Sequence, residues 1–495
     1  MPPQGSTLCG LPQRLECEQC RLQRQLLVGY SERFGQREES ELQFDEREHE
    51  QQLESLQRTI GAPGAGPYMT DTDMLLPDLF AAYYDARRNK RNTRTQLLFE
   101  RDLETNLIDL YHEIDDRRYR PRPCTCFIVH DPVKREVFAS DFRDRVVHHL
   151  YYNYVSPIFE RTFIYDSYSC RKGKGTLFGI ERLEHHIRSC SRNYTIPAYV
   201  LKLDIQGYFM SIRRSLLRDK VIEVLTRYRT MPIDAHRTWG DVVPFDLVEW
   251  LTDVIVLRNP LSGCIVRGQA SDWEGLPPTK SLRCSPEGVG LPIGDLTSQL
   301  FSNVLLNELD QFVTRQLGIR HYGRYVDDFY LVDCSRTRLQ QSIAPIRTFL
   351  SGLGLTLHPK KIVLQPVTEP IMFLGAVLHP HYRHARHRTL VQYRAHLREY
   401  AQWCAQGVLA PWQVQRIGMS VQSYVGYLDR LREQGIRKME ERQDMYNLTI
   451  YYELFTNYLR MKRASVVVIK HTNVVMEHTN KEKGLHNLVA GGAAL

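Results

Sequence analysis

No stretch of the 495-residue chain approaches the roughly 18 consecutive apolar residues that a membrane-spanning helix needs, so the sequence offers no transmembrane span. The opening MPPQGSTLCG lacks the basic-then-apolar layout of a signal peptide. Cysteine is sparse: 11 residues, an odd number and mostly single, cannot form a dense disulfide scaffold, and a reducing cytoplasm is the expected location. Cys17-Glu-Gln-Cys20, with Cys9 nearby, has the spacing of half a zinc site, but no second pair follows at finger spacing, so ordinary thiols on a helix are expected. Extremes of composition are missing too. With 42% apolar and 25% charged residues the chain is neither disordered nor fibrous, and its length allows about three domains at roughly 150 residues each.

What is present begins with charge. Lys plus Arg number 65 and Asp plus Glu 57, a formal +8. Residues 1–60 hold seven Arg, no Lys and eleven acidic residues, a net −4, so the remainder carries +12. A basic body with 27 Tyr and 18 Phe suits a polyanionic partner, because cations neutralise phosphate and aromatic faces stack on bases. Composition alone fits an ordinary, mildly basic globular protein equally well.

Residues 13–60 are rich in Gln, Glu and Arg, with Leu15, Leu22, Leu26, Leu42, Leu53 and Leu56 at helical but irregular spacings; they read as a solvent-facing helix or helical hairpin. A Gly/Pro linker, Gly61 to Pro67, follows. Helical patterning covers Leu97–Asp116, Asp141–Tyr154, Leu177–Ser191, Thr297–Gln316 and nearly all of Leu390–Arg463. Short β-branched or aromatic runs at Cys126–Val129, Tyr199–Leu203, Tyr325–Val332 and Ile362–Leu364 predict strands. The mixture has no regular βαβ repeat and predicts an α+β fold.

Two acidic sites stand out. Val200-Leu-Lys-Leu-Asp204 is a hydrophobic strand ending in one carboxylate, and Arg324-Tyr-Val-Asp-Asp-Phe-Tyr-Leu-Val332 sets Asp327 and Asp328 inside an apolar run. Adjacent anions do not belong in a strand interior, so the pair is expected on a tight hairpin turn. It is either a solvated Asp-rich turn or, with Asp204, a carboxylate set for divalent cations. Two Mg²⁺ ions about 3.5–4 Å apart stabilise the attacking and leaving oxygens of a phosphoryl transfer, and Mg²⁺ prefers carboxylate oxygen.

In these blocks the chain resembles the reverse transcriptase family. Tyr325-Val-Asp-Asp328 is similar to its Tyr-x-Asp-Asp box, and Asp204 to the aspartate of its preceding palm strand. Gly290-Leu-Pro-Ile-Gly-Asp-Leu-Thr-Ser-Gln299 looks like its nucleotide block, and His358-Pro-Lys-Lys361 and Phe373-Leu-Gly375 like the blocks that close the palm. Lys134-Arg135 and Asp144-Arg-Val-Val-His148 resemble fingers blocks, and Ser423-Tyr-Val-Gly-Tyr427 a thumb signature. The resemblance spans about residues 70–430.

It implies a right-hand fold of fingers (67–195), palm (196–380, with an insertion at 259–288), helical thumb (381–463) and tail (464–495), behind an acidic helical extension and linker (1–66). It implies an RNA-directed DNA polymerase using two Mg²⁺ ions, with Mn²⁺ as an alternative. Asp204 and Asp327 would bind both metals, Asp328 would complete the metal site electrostatically, and Lys361 or Lys360 would meet the leaving pyrophosphate unless the pair is merely solvated. Lys134 and Arg135 would lie over the triphosphate, although the proline usual between them is absent. Phe209 stands at the sugar-gate position, or is a core aromatic. Ile293, Gly294, Ser298 and Gln299 replace the commoner Gln-Gly and Ser-Pro, a variant that resembles diversity-generating retroelements and related bacterial groups.

The implied partners are an RNA template, a dedicated noncoding RNA among the candidates, with deoxynucleotides, a cDNA product, and a protein partner or second copy at the extension; no membrane is expected. The expected setting is the bacterial cytoplasm. The leading role is antiphage defence, with diversification as the alternative and a catalytically silent RNA-binding scaffold as a reading of another class. Residues 259–288, with Trp273, read as an RNA- or partner-contacting insertion or a surface loop; His381–Arg388, leading into Arg394 and Arg398, reads as a duplex-tracking surface or a merely solvated helix entrance. No RNase H or His-Asn-His endonuclease signature is recognisable after the thumb.

Overall fold

Leu75, Leu79, Ala82, Tyr83 and Ala86 recur at helical spacing and are buried along α1 (Leu75–Arg87), the first helix of a computed structural model that describes residues 74–88, 93–130, 133–406 and 410–432. These residues all lie in the compact unit Asp71–Leu495. The extension at 1–66 with its cysteines, and the tail at 464–495, lie outside the described residues. The helix expected over Leu97–Asp116 is two, α2 (Arg94–Arg101) and α3 (Leu103–Asp115), because Asp102 leaves helical geometry at φ −127°, ψ 48°. A hairpin of β1 (Thr125–Val129) and β2 (Arg135–Ala139) follows. Asp141 then caps α4 (Phe142–Thr162) by accepting from Arg143 N at 3.1 Å. This helix runs past its expected end and is buried through Val146, Val147, Leu150, Tyr151, Val155, Ile158 and Phe159.

Next come α5 (Thr176–Cys190), β3 (Tyr199–Asp204), the single turn α6 (Tyr208–Ser211), α7 (Arg214–Arg227), α8 (Trp239–Val242), α9 (Phe245–Val256) and the two-residue strand β4 (Ile265–Val266). Helix α10 (Leu296–Gln311) closes in a π-turn, Phe312–Gln316. The carboxylate run folds back on itself at the expected turn as β5 (His321–Tyr325) and β6 (Asp328–Asp333), followed by α11 (Arg336–Gly352) and β7 (Val363–Pro366). Strands β8 (Ile371–Phe373), β9 (Ala376–His379) and β10 (Tyr382–Ala385) make a small antiparallel sheet, and helices α12 (His387–Ala405) and α13 (Pro411–Arg432) end the described chain.

The central sheet is antiparallel, in the order β5-β6-β3-β7. Its side chains alternate between two cores, as pleating requires. Leu201, Leu203, Phe329 and Leu331 face a large core shared with α4, α7, α10 and α11. Val200, Tyr330 and Val332 face a second core with Ile180, Leu183 and Ile187 of α5 and Phe373 of β8. The fold is α+β. Among the described residues no helix is long and apolar enough to cross a membrane.

Two sequence expectations change here. Residues 259–288 are not a free loop: β4 pairs parallel to β1, and three short 3₁₀ turns pack the segment onto the hairpin. The basic run His381–Arg388 does not simply open a helix. Its centre is β10, whose Arg383 is buried and paired with Glu184 at 3.2 Å, so that cation is spent inside the protein rather than on a duplex.

Candidate active site

The register of the central sheet decides what meets what. Asp204, the last residue of β3, lies opposite Asp328, the first of β6, while Tyr325 pairs with Asp328 across a two-residue loop, Val326-Asp327. All three aspartates therefore stand at one end of adjacent strands. Val326 holds φ +55°, a left-handed conformation costly for a β-branched residue. The chain after α11 returns to the same end: His358 N donates to Asp204 O at 2.8 Å, and Lys361 Nζ lies 2.9 Å from both carboxylate oxygens of Asp204. Of the two expected lysines, Lys361 is the one that reaches Asp204.

Burial is the largest influence on Asp327 and Asp328, and it pushes each up to about 6. The Asp204 charge adds to both shifts, whereas Lys361 opposes both and Lys202 opposes that of Asp328. Lys202 Nζ lies 3.9 Å from Asp328 and also donates to the Met372 carbonyl. As the side chains stand, no group of three or more His, Cys, Asp or Glu among the described residues is arranged to hold a metal ion, and Lys361 takes both oxygens of Asp204. The donor chemistry nonetheless fits a hard divalent cation. Three carboxylates share one strand end, and two of them are pushed up to about 6 by burial and by the charge of Asp204, a cost that a cation removes.

The nucleotide block sits beside this end. Phe138 N donates to Ile293 O at 2.8 Å, and Leu291 N to Phe209 O at 2.8 Å, so the block is laced to both β2 and the turn after β3. Gly294 has φ +143°, and a Cβ there would lie 2.3 Å from Phe138 O; only glycine allows this approach. Phe209 and Ile293 share one apolar cluster with Met210 and Leu282. Ser298 is buried in the first turn of α10 and Gln299 is exposed. Lys134 departs from expectation, because its ammonium donates at 2.5 Å to the carbonyl of Glu274 in the 259–288 segment. Arg135 is exposed. Farther along, Tyr427 OH donates to Leu374 O at 3.3 Å and closes on Gly375, joining the two C-terminal blocks.

Several residues here escape a sequence reading. Lys202 could have been found from alternation, since it precedes Asp204 by two and shares its face. Glu136 reads as solvated beside Arg135, yet it is 0% exposed and accepts from Trp273 Nε1 at 2.8 Å, Leu282 N at 2.7 Å and Ser281 Oγ. Arg324 and Asp310 are also wholly buried.

Residues 135–378 match the family described as reverse transcriptase (RNA-dependent DNA polymerase). Comparison with curated protein sequences finds no match. Among solved structures, the chain is similar to telomerase from Candida albicans in complex with a TWJ fragment of telomeric RNA (TM-score 0.38, 12% identity, 72% of this chain and 63% of that one). It is also similar to apo telomerase from Candida tropicalis truncated from its C-terminal domain (TM-score 0.35, 12% identity, 54% and 57%) and to apo telomerase from Candida tropicalis (0.35, 11%, 53% and 48%). The chain thus spans about half to 63% of the length of these structures. The residues that match this family, 135–378, carry all three aspartates and Lys361.

Proposed function

We propose that the protein is an RNA-directed DNA polymerase whose active site is the end of β3, β5 and β6. The observation that carries this reading is the pairing of Asp204 with Asp328, with Asp327 on the loop between and Lys361 against Asp204. On this reading residues 67–195 serve as fingers, 196–380 as palm and 381–463 as thumb. Asp204 and Asp327 would hold Mg²⁺, with Asp328 kept as a neighbouring charge by Lys202. Bound there, Mg²⁺ supplies charge neutralisation for phosphoryl transfer from an incoming deoxynucleotide.

The protein's own groups do the remaining work. Lys361 is more than half exposed, so its side chain is free to leave Asp204 and place its proton and charge at the departing pyrophosphate. Arg135 presents a guanidinium fork to the triphosphate, while Lys134 reaches it only by releasing Glu274. Phe209 and Ile293 form an apolar floor for the sugar and base. A ring at that place leaves no room for a 2′-hydroxyl. Phe209→Ala should therefore raise ribonucleotide incorporation relative to deoxynucleotide; unchanged discrimination would remove Phe209 from that role.

For biological role we favour cDNA synthesis in antiphage defence, templated by a dedicated noncoding RNA; the size of the chain beyond its catalytic body supports this. Diversification by error-prone copying is supported by Ile293, which offers the incoming nucleotide no hydrogen bond. A silent RNA-binding scaffold is supported by the Lys361–Asp204 pair, which neutralises one carboxylate without a metal. Extension of a primer on an RNA template with Mg²⁺ separates polymerase from scaffold. Sequencing of the products and of copurified RNA separates the two roles: a single repeated RNA with faithful copies supports defence, and dispersed errors support diversification.

A further inference from the structure

Beneath the carboxylate turn lies an ion pair that no substrate-facing role uses. Arg324 directly precedes Tyr325-Val-Asp-Asp328, Asp310 lies near the end of α10, and both side chains are 0% exposed. Arg324 Nε and Nη2 donate to the two oxygens of Asp310, each at 2.7 Å, and Tyr322 OH donates to the same carboxylate at 2.7 Å. Nη2 also donates to Ser167 Oγ at 3.3 Å, and Nη1 to Asn303 Oδ1 at 3.2 Å. The remaining donor of Nη1 reaches the carbonyl of Val326 at 3.1 Å. All five guanidinium N–H groups thus have acceptors, and one acceptor belongs to the loop that carries Asp327.

A buried ion pair is weak support for stability, since apolar replacements of similar volume often fold as well. What an apolar pair cannot supply is the bond to Val326, the one residue of the loop held at positive φ, at +55°. A valine there returns to ordinary extended or helical geometry unless its carbonyl is held. That return would redirect the peptide into Asp327 and with it the carboxylate. We propose that Arg324, locked by Asp310, is a positioning residue that holds Val326 left-handed and so aims the Asp327 carboxylate. The inference deepens the polymerase reading and rests on it for its kinetic consequence, while its structural consequence stands apart.

The test uses Arg324→Lys, which keeps the charge opposite Asp310 but lacks the fork that reaches Val326. In primer extension kcat should fall about 100-fold, as for a carboxylate misplaced by about an ångström, with the deoxynucleotide KM within about twofold of wild type. Adding Val326→Gly, which adopts positive φ without strain, should restore most of the lost kcat. A kcat unchanged in folded Arg324→Lys, or a loss that Val326→Gly leaves untouched, overturns the proposal. Should Arg324→Lys not fold, Arg324→Met/Asp310→Leu/Tyr322→Phe removes the network without leaving the carboxylate or the phenol unpaired, and is read in the same way. A crystal structure of the folded variant reports independently of activity. Val326 at negative φ is expected, and a loop unchanged from wild type refutes the proposal. Wild-type protein that extends no primer refutes the polymerase reading instead, and the crystal structure still decides this one.

Discussion

Asp327 and Asp328 show how much the site depends on its neighbours. Each carboxyl is pushed by burial to about 6, against an ordinary value of 3.8 that the unfolded chain regains. Between those values the folded protein holds protons that the unfolded chain has lost. Without metal, therefore, these groups favour folding least above pH 6 and most below about pH 4. A divalent cation must displace the same protons, so its binding weakens as pH falls. Mg²⁺ should raise the melting temperature clearly at about pH 8 and little at about pH 5. An equal rise at both would show that these carboxylates do not take up the ion. Asp204→Asn should narrow the gap, because the Asp204 charge is one cause of both raised values. Asp204 and the Asp327–Asp328 pair were legible in the sequence because an anion at the end of an apolar strand has few structural uses. Arg324 was not legible. A charged residue just before an apolar run reads as solvated, and its partner Asp310 lies 14 residues earlier, on a helix of no distinctive pattern.

Among the elements, the β1–β2 hairpin and the 259–288 segment behave as one piece. Glu136 ties them by accepting from a tryptophan, a serine and a backbone amide of that segment, and Lys134 adds a bond to Glu274. Gln at position 136 would turn an N–H toward one of those donors. Glu136→Gln should cost about 1–3 kcal/mol of stability, and because the hairpin carries Arg135 it should also raise the deoxynucleotide KM. Thermal melts and steady-state kinetics check both, and a variant normal in the two measurements would show that the segment is not part of the hairpin's support. The segment's Gly and Pro content predicted a loop. Its real role depends on a buried carboxylate 137 positions away from Trp273, a separation that no local pattern reports. The carboxylate hairpin is the opposite case, since two anions inside an apolar run leave a turn as the only economical geometry.

For the whole molecule, the +12 body is consistent with a nucleic-acid partner, but not every cation serves it. Arg383 is buried against Glu184, while Arg386 and Arg398 are exposed. Arg386→Ala and Arg398→Ala should each reduce the slope of log affinity against log salt for an RNA–DNA duplex, by about one unit. Arg383→Ala should lower the melting temperature and leave the slope unchanged. A slope altered by Arg383→Ala alone would reverse this division. The mixture of strand and helix runs without a regular βαβ repeat made the α+β fold legible. The reading of the basic run as one duplex-tracking surface does not extend to Arg383, because His381–Arg388 contains β10, whose inward positions alternate with exposed ones. The central claim is that the end of β3, β5 and β6 polymerises DNA on RNA. Primer extension with Mg²⁺ by wild type and by a folded Asp327→Ala/Asp328→Ala variant tests it most directly: full-length cDNA from wild type and none from the variant is the predicted result, and equal product from both would contradict it.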